Sequence, residues 1–205
     1  MAVQSTTQRR QQWSYSDRIN VLAGSFIAVA VFGWLVSVFL SGIHFWAIPH
    51  IPAGADISGS LVVITSQWAY IGPVPLATLG AFYYLSTIVL AAWWWDTRHP
   101  LILKILTPVT ATGVVASAYF VWLQLVPIGA ICPFCMMSAG TTVVLFGIEL
   151  TMLRTSELPG LQTLSADVSP LIQQTSLTWP LLIGSLGLFT LGAVYGVTLA
   201  PIPGT

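Results

Sequence analysis

Five long apolar stretches, separated by short polar breaks, set the pattern of the chain. They run over about 20–45, 72–95, 101–127, 131–153 and 179–200. A helix needs about 20 apolar residues to cross the hydrocarbon core of a bilayer, and each stretch is of that order. Apolar residues fill them continuously instead of alternating, which predicts helices rather than the strands of a closed barrel. Arg9, Arg10 and Arg18 precede the first stretch as they would a signal peptide. That stretch is longer than a signal h-region and shows no small-residue cleavage site, so it is expected to be a retained first helix. The segment 154–178 is polar and rich in Ser and Thr, a connector long enough to let the fifth helix pack apart from the others. No internal repeat is evident.

Composition turns this pattern into a membrane protein. Of 205 residues, 56% are hydrophobic and 6% charged, with a mean hydropathy of +0.85. Soluble domains carry about 25% charged residues, so lipid must solvate most of this surface. The formal net charge is zero, which gives no support to nucleic-acid binding. A single transmembrane domain over 1–205 is expected, its core at about 20–153 and its fifth helix at about 179–200.

The few charges orient the bundle. The Lys and Arg residues are Arg9, Arg10, Arg18, Arg98, Lys104 and Arg154. With five spans, all fall on or next to one side, which the positive-inside rule makes cytoplasmic. The N-terminus is then cytoplasmic. The loop 46–71, the turn 128–131 and the C-terminus are on the outer side. Trp93, Trp94 and Trp95 fall where an inner aromatic belt would anchor the second helix. His44 and His50 are read as interfacial residues, and Asp56 as a solubilising loop residue. Glu149 is the one carboxylate well inside a span. Such acids are functional candidates by default, but its nearness to Arg154 favours snorkelling or pairing there.

The chemical centre is Ile131-Cys132-Pro133-Phe134-Cys135-Met136-Met137, which holds both cysteines of the chain. Two intervening residues bring both sulfurs to the first turn of a helix. Pro133 suits that turn, where its missing N–H is no loss. Free N–H groups and the positive end of the helix dipole stabilise a thiolate there. The outer compartment permits disulfides. A redox-active dithiol, a structural disulfide or buried thiols, and a metal site all remain open. A metal would want a second pair or nearby histidines, and Met136 stands where a c-type haem attachment needs His.

The CxxC opening the fourth helix, together with Ser66-Gln67-Trp68 followed by Gly72, Pro75, Gly80 and Tyr84, resembles the vitamin K epoxide reductase family in its five-helix prokaryotic form. The likeness covers roughly 25–150. The spacing of Pro75, Gly80 and Tyr84 fits the family, and Gly72 lies one residue too far from Pro75. The resemblance implies an all-α membrane fold with a four-helix bundle around a quinone pocket and a peripheral fifth helix. It implies a membrane thiol oxidoreductase in a prokaryotic plasma membrane that couples disulfide formation at the CxxC to reduction of a quinone of menaquinone, ubiquinone or phylloquinone type. Cys135 would then face the quinone and Cys132 would complete the disulfide. Ser66 and Tyr84 are candidate polar donors to the quinone, and Phe134 and Trp68 candidate walls. Tyr84 also reads as a packing residue and Trp68 as an interfacial anchor. The implied partner is a separate thioredoxin-fold thiol protein on the outer face, since the chain ends soon after the fifth helix.

One departure from the family stands out. Its members usually carry a second cysteine pair in the first outer loop. Those positions fall here at Ser60 and near Ala55. Either a partner reacts directly with Cys132, or the loop cysteines were replaced in an engineered chain. The alternative function is a non-catalytic or engineered membrane subunit of the same fold, without a complete electron-transfer cycle.

Overall fold

A computed structural model of the chain describes residues 17–46, 48–52, 58–72, 74–156 and 178–198. The long helices are α1 (Ile19–Trp46), α3 (Leu76–Thr97), α4 (Pro100–Leu123), α5 (Pro133–Arg154) and α6 (Thr178–Thr198); α2 (Ser60–Thr65) is a short helix after α1. α1, α3, α4 and α5 are long and apolar enough to cross a membrane, by length and composition. A helix rises 1.5 Å per residue, so 22 residues span about 33 Å, against a hydrocarbon core of about 30 Å. α6 is 21 residues long with a shorter apolar segment, Ile183–Gly192.

The expected boundaries hold within a few residues, with one informative exception. The second long helix begins at Leu76 rather than near 72. The residues before it form a small antiparallel hairpin, β1 (Tyr70–Ile71) on β2 (Val74–Pro75), turned at Gly72, whose φ of 61° suits glycine. Pro75 then caps α3 from an extended conformation. Gly72 and Val74-Pro75 thus belong to a hairpin rather than to the helix, as Gly and Pro in this stretch favour.

α1 packs on α3 and α5, and α4 packs on the same two, which closes a four-helix bundle. α6 lies outside it, mainly against α1. Trp34 Nε1 donates to Thr190 Oγ1 at 3.2 Å, and the Trp34 and Phe189 rings stack at 5.9 Å. In lipid, helix contact rests on close packing and such bonds, because the surrounding tails are as apolar as the helices. Two glycines allow the closest approaches. A Cβ at Gly33 would fall inside the Tyr84 ring, and one at Gly113 would collide with the Tyr83 hydroxyl.

At the basic end of the bundle, Phe26, Trp94, Leu103, Leu106, Leu145 and Met152 form a dense apolar core. Trp94 is part of it at 1% exposure, so the tryptophan run is not simply an interfacial belt. Trp95 alone of the three is well exposed. Arg98 closes α3 in a left-handed conformation, with its guanidinium 4.8 Å from the Trp94 ring and 5.2 Å from that of Trp95. Arg18, Arg98, Lys104 and Arg154 all lie at or near helix ends on this one side of the up-and-down bundle. The segment 157–177, Arg9, Arg10, Ala55 and Asp56 lie outside the described residues.

Candidate functional site

The CxxC sits where α4 hands over to α5. α4 runs into a π-helical turn, Gln124–Ile128, that ends at Gly129 with φ 67°. Gln124 is 3% exposed and ties this turn to the cysteines. Its side-chain Oε1 accepts the Cys132 N–H at 2.8 Å, and its backbone carbonyl accepts the Ala130 N–H at 3.1 Å. Cys132 is the N-cap of α5, with Pro133 in the first turn. Its sulfur accepts the Cys135 backbone N–H at 3.4 Å.

The two cysteines have different surroundings. Both are free thiols. Cys132 is completely buried, packed with Val36, Leu40, Val63 and Ile64 beneath α2. A hydrogen bond from the Cys135 thiol is the main influence on it and holds its pKa down at about 6, against the desolvation of burial; the Cys135 N–H, the Ser60 hydroxyl and the Phe134 N–H assist. The stabilised thiolate at the helix terminus is therefore Cys132. Ser60, at the start of α2, reaches Cys132 from the position aligned with a loop cysteine.

Cys135 faces the other way, into a cavity of about 380 Å³ inside the bundle. The cavity is walled mostly by apolar groups from α1, α3, α4 and α5, with Ser37, His44, Ser66, Gln124 and Ser138 among its polar lining. Pockets of about 300–1,000 Å³ that are mainly apolar with a few placed polar groups suit small organic ligands. The residues present fit a quinone ring, with its two carbonyl acceptors and apolar substituents.

The residues picked out in the sequence divide as follows. Ser66, Trp68, Tyr84 and Cys135 all line the cavity. The Ser66 hydroxyl donates to the Val63 carbonyl at 2.7 Å. Tyr84 is 1% exposed, and its hydroxyl lies 2.7 Å from the Ser138 carbonyl, 3.0 Å from Ser138 Oγ and 2.9 Å from Thr142 Oγ1. It braces α3 to α5 and has little capacity left for a ligand. Phe134 is not a wall of the cavity. The CxxC turn points it outward, where it packs on Phe39 with ring centroids 5.2 Å apart.

Three placements differ from the sequence reading. His44 is not an ordinary interfacial residue. It is buried, lines the cavity, packs edge-on against Tyr70 at 4.5 Å, and its Nε2 has no hydrogen-bond partner among the described residues. Ser37, Ser41 and His44 recur at helical spacing along α1, a polar stripe that would have flagged the face. Gln124 carried no motif at all. Glu149 neither snorkels nor pairs with Arg154. It is wholly buried between α4 and α5, and Thr110 donates to its Oε2. Among the described residues, no group of three or more His, Cys, Asp or Glu side chains is placed to hold a metal ion.

An all-helical bundle with a CxxC at the mouth of an internal apolar cavity defines a class of membrane redox protein. The model of the vitamin K epoxide reductase family matches residues 25–150, well over half of the chain, and the protein belongs to that family. It is accordingly an integral membrane thiol–disulfide oxidoreductase linked to quinone. No individual curated protein matches the chain.

Proposed function

We propose that the protein oxidises thiols at Cys132–Cys135 and passes the electrons to a quinone held in the bundle cavity. The observation that carries this reading is the division of labour in the pair. Cys135 lines the cavity, and Cys132 stands directly behind it as a thiolate. A quinone supplies a two-electron acceptor with two carbonyl oxygens. Cys132 acts as the base for Cys135, taking its proton along the existing thiol hydrogen bond. With a quinone bound, the Cys132–Cys135 bond would form as the pair's two electrons pass from Cys135 to the quinone, and the proton taken up by Cys132 would be released. Thiol–disulfide exchange with a reduced partner resets the pair. Gln124 fixes the Cys132 backbone, and Ser60 and the α5 amides keep its sulfur anionic. His44 Nε2 is the free polar group best placed to hold a quinone carbonyl, with Ser66 beside it.

The basic end is taken as cytoplasmic by the positive-inside rule, which puts the CxxC at the outer face. A prokaryotic plasma membrane and a separate thioredoxin-fold donor on that face complete the reading. The complete burial of Cys132 under α2 favours one alternative: a subunit of this fold that no donor reaches and that has no electron-transfer cycle. Thiol-driven quinone reduction by the purified protein decides between them. Dithiothreitol, or a reduced thioredoxin-fold protein, should drive quinone bleaching, and Cys135→Ala should abolish it. Absence of bleaching with either donor would rule out the enzyme.

A further inference from the structure

The buried acid on α5 has no part in the chemistry just described, and burying it is costly. A charged side chain inside a membrane costs about 2.5–3.5 kcal/mol or more, and such residues mark ion or proton paths. Glu149 is 0% exposed. Thr110 donates to Oε2, and the half-buried Thr107, one turn from Lys104, also bonds the carboxylate. Oε1 is buried without a hydrogen-bond partner among the described residues.

A second buried orphan lies between Glu149 and the cavity. The Tyr83 hydroxyl has no hydrogen-bond partner among the described residues either. It sits over Gly113 beside Thr142, one turn of α4 above Thr110. Glu149 is close enough to act on it electrostatically. Tyr83, Tyr84 and Thr142 all line the cavity, and Tyr84 is hydrogen-bonded to Ser138 and Thr142. Buried polar atoms left without a protein partner are uncommon, and two of them here belong to residues that influence each other. The hydroxyls thus run from Cys135's cavity down α5 toward the basic end. Seven residues separate Thr142 from Glu149, about 10 Å along the helix.

We propose that Thr107, Glu149 and Tyr83 form a proton inlet that feeds the quinone site from the cytoplasmic side. The inference rests on the quinone reading above and on the assigned orientation. The balance is complete. Over a full cycle, oxidising the donor's two thiols to a disulfide through Cys132–Cys135 releases two electrons and two protons, and reducing a quinone to its hydroquinone consumes two of each. The thiol protons leave on the outer side. The protons taken up on reduction enter through Glu149. Each turnover then moves two charges across the membrane, a second function built onto the thiol oxidation.

The test uses the full chain in proteoliposomes, with a short-chain quinone in the bilayer and a pH dye inside. Reduced glutathione, which does not cross the membrane, is supplied outside, so only outward-facing CxxC sites turn over. The lumen should become alkaline by about two protons per quinone reduced, and a protonophore should collapse the signal. Glu149→Gln should lower that ratio about tenfold, as expected when a positioned proton carrier is removed. Tyr83→Phe, which deletes only a hydroxyl, should lower it too and serves if Glu149→Gln misfolds. The ratio is normalised to turnover, so a smaller amount of folded protein does not change it. Quinone reduction with a lumen of constant pH, or an unchanged ratio in both variants, overturns the inlet and leaves the enzyme reading standing. Wild-type protein that reduces no quinone overturns both.

Discussion

Removing the Ser60 hydroxyl tests the origin of the Cys132 thiolate. Cys132 has a pKa of about 6 because donors converge on its sulfur: the Cys135 thiol and N–H, the Ser60 hydroxyl and the Phe134 N–H. At that value about nine in ten molecules carry the thiolate at pH 7, against a few in a hundred for an ordinary cysteine. A hydrogen bond to a charged group is worth about 1.5–3 kcal/mol, and one pKa unit is about 1.4 kcal/mol. Some of the loss in Ser60→Ala is recovered by the remaining donors, so the midpoint should rise by about one unit. The sign follows from which form the donors favour. They stabilise the anion, so losing one raises the pKa and shrinks the thiolate fraction at neutral pH. The assay is a pH titration of thiolate ultraviolet absorbance on the reduced protein in detergent or nanodiscs. In wild type one thiolate per chain should appear with a midpoint near 6, and turnover should fall as the pH drops through that value. A wild-type midpoint in the ordinary thiol range, or a Ser60→Ala midpoint unchanged from wild type, would refute the reasoning.

Three further outcomes follow from packing and geometry. Gly33→Ala drives a methyl into the Tyr84 ring and should destabilise the α1–α3 contact by about 1–3 kcal/mol, read as a lower melting temperature in detergent. In a Cys135→Ala background, Ser60→Cys should form a disulfide with Cys132 under mild oxidation, detected as a loss of free thiols that dithiothreitol reverses; two persistent free thiols would contradict the contact between these residues. His44→Phe keeps the cavity closed and removes its unpartnered nitrogen, so the KM for quinone should rise about three- to tenfold with a smaller change in kcat.

Hydrophobic patterning and charge placement were sufficient for the bundle. Continuous apolar runs of spanning length have few alternatives in a bilayer, because every backbone polar group must be satisfied within its own segment. That is why the α1 and α5 boundaries, and those of α4 taken with its π turn to Ile128, fall within about two residues of those expected. The start of α3 was misplaced because apolar content does not distinguish a Gly-Pro hairpin from a helical turn. The roles within the cysteine pair were only half legible. Spacing put both sulfurs at one helix start, but which one caps the helix and which faces the cavity depends on the π turn before them and on the Gln124 anchor.

The sequence by itself determined a membrane bundle with a lone cysteine pair at one helix mouth, since solvent compatibility and helix-terminus chemistry are local properties. The tertiary structure decided what surrounds that pair. It sent Phe134 outward and brought His44 to the cavity wall. It placed Ser60 against Cys132 and enclosed Glu149 with Thr110 between two helices. These are rotational facts. Apart from a short polar stripe such as Ser37, Ser41 and His44, a span in lipid is apolar nearly all round, so its sequence hardly marks which face turns inward, and the packing of one helix on another fixes it.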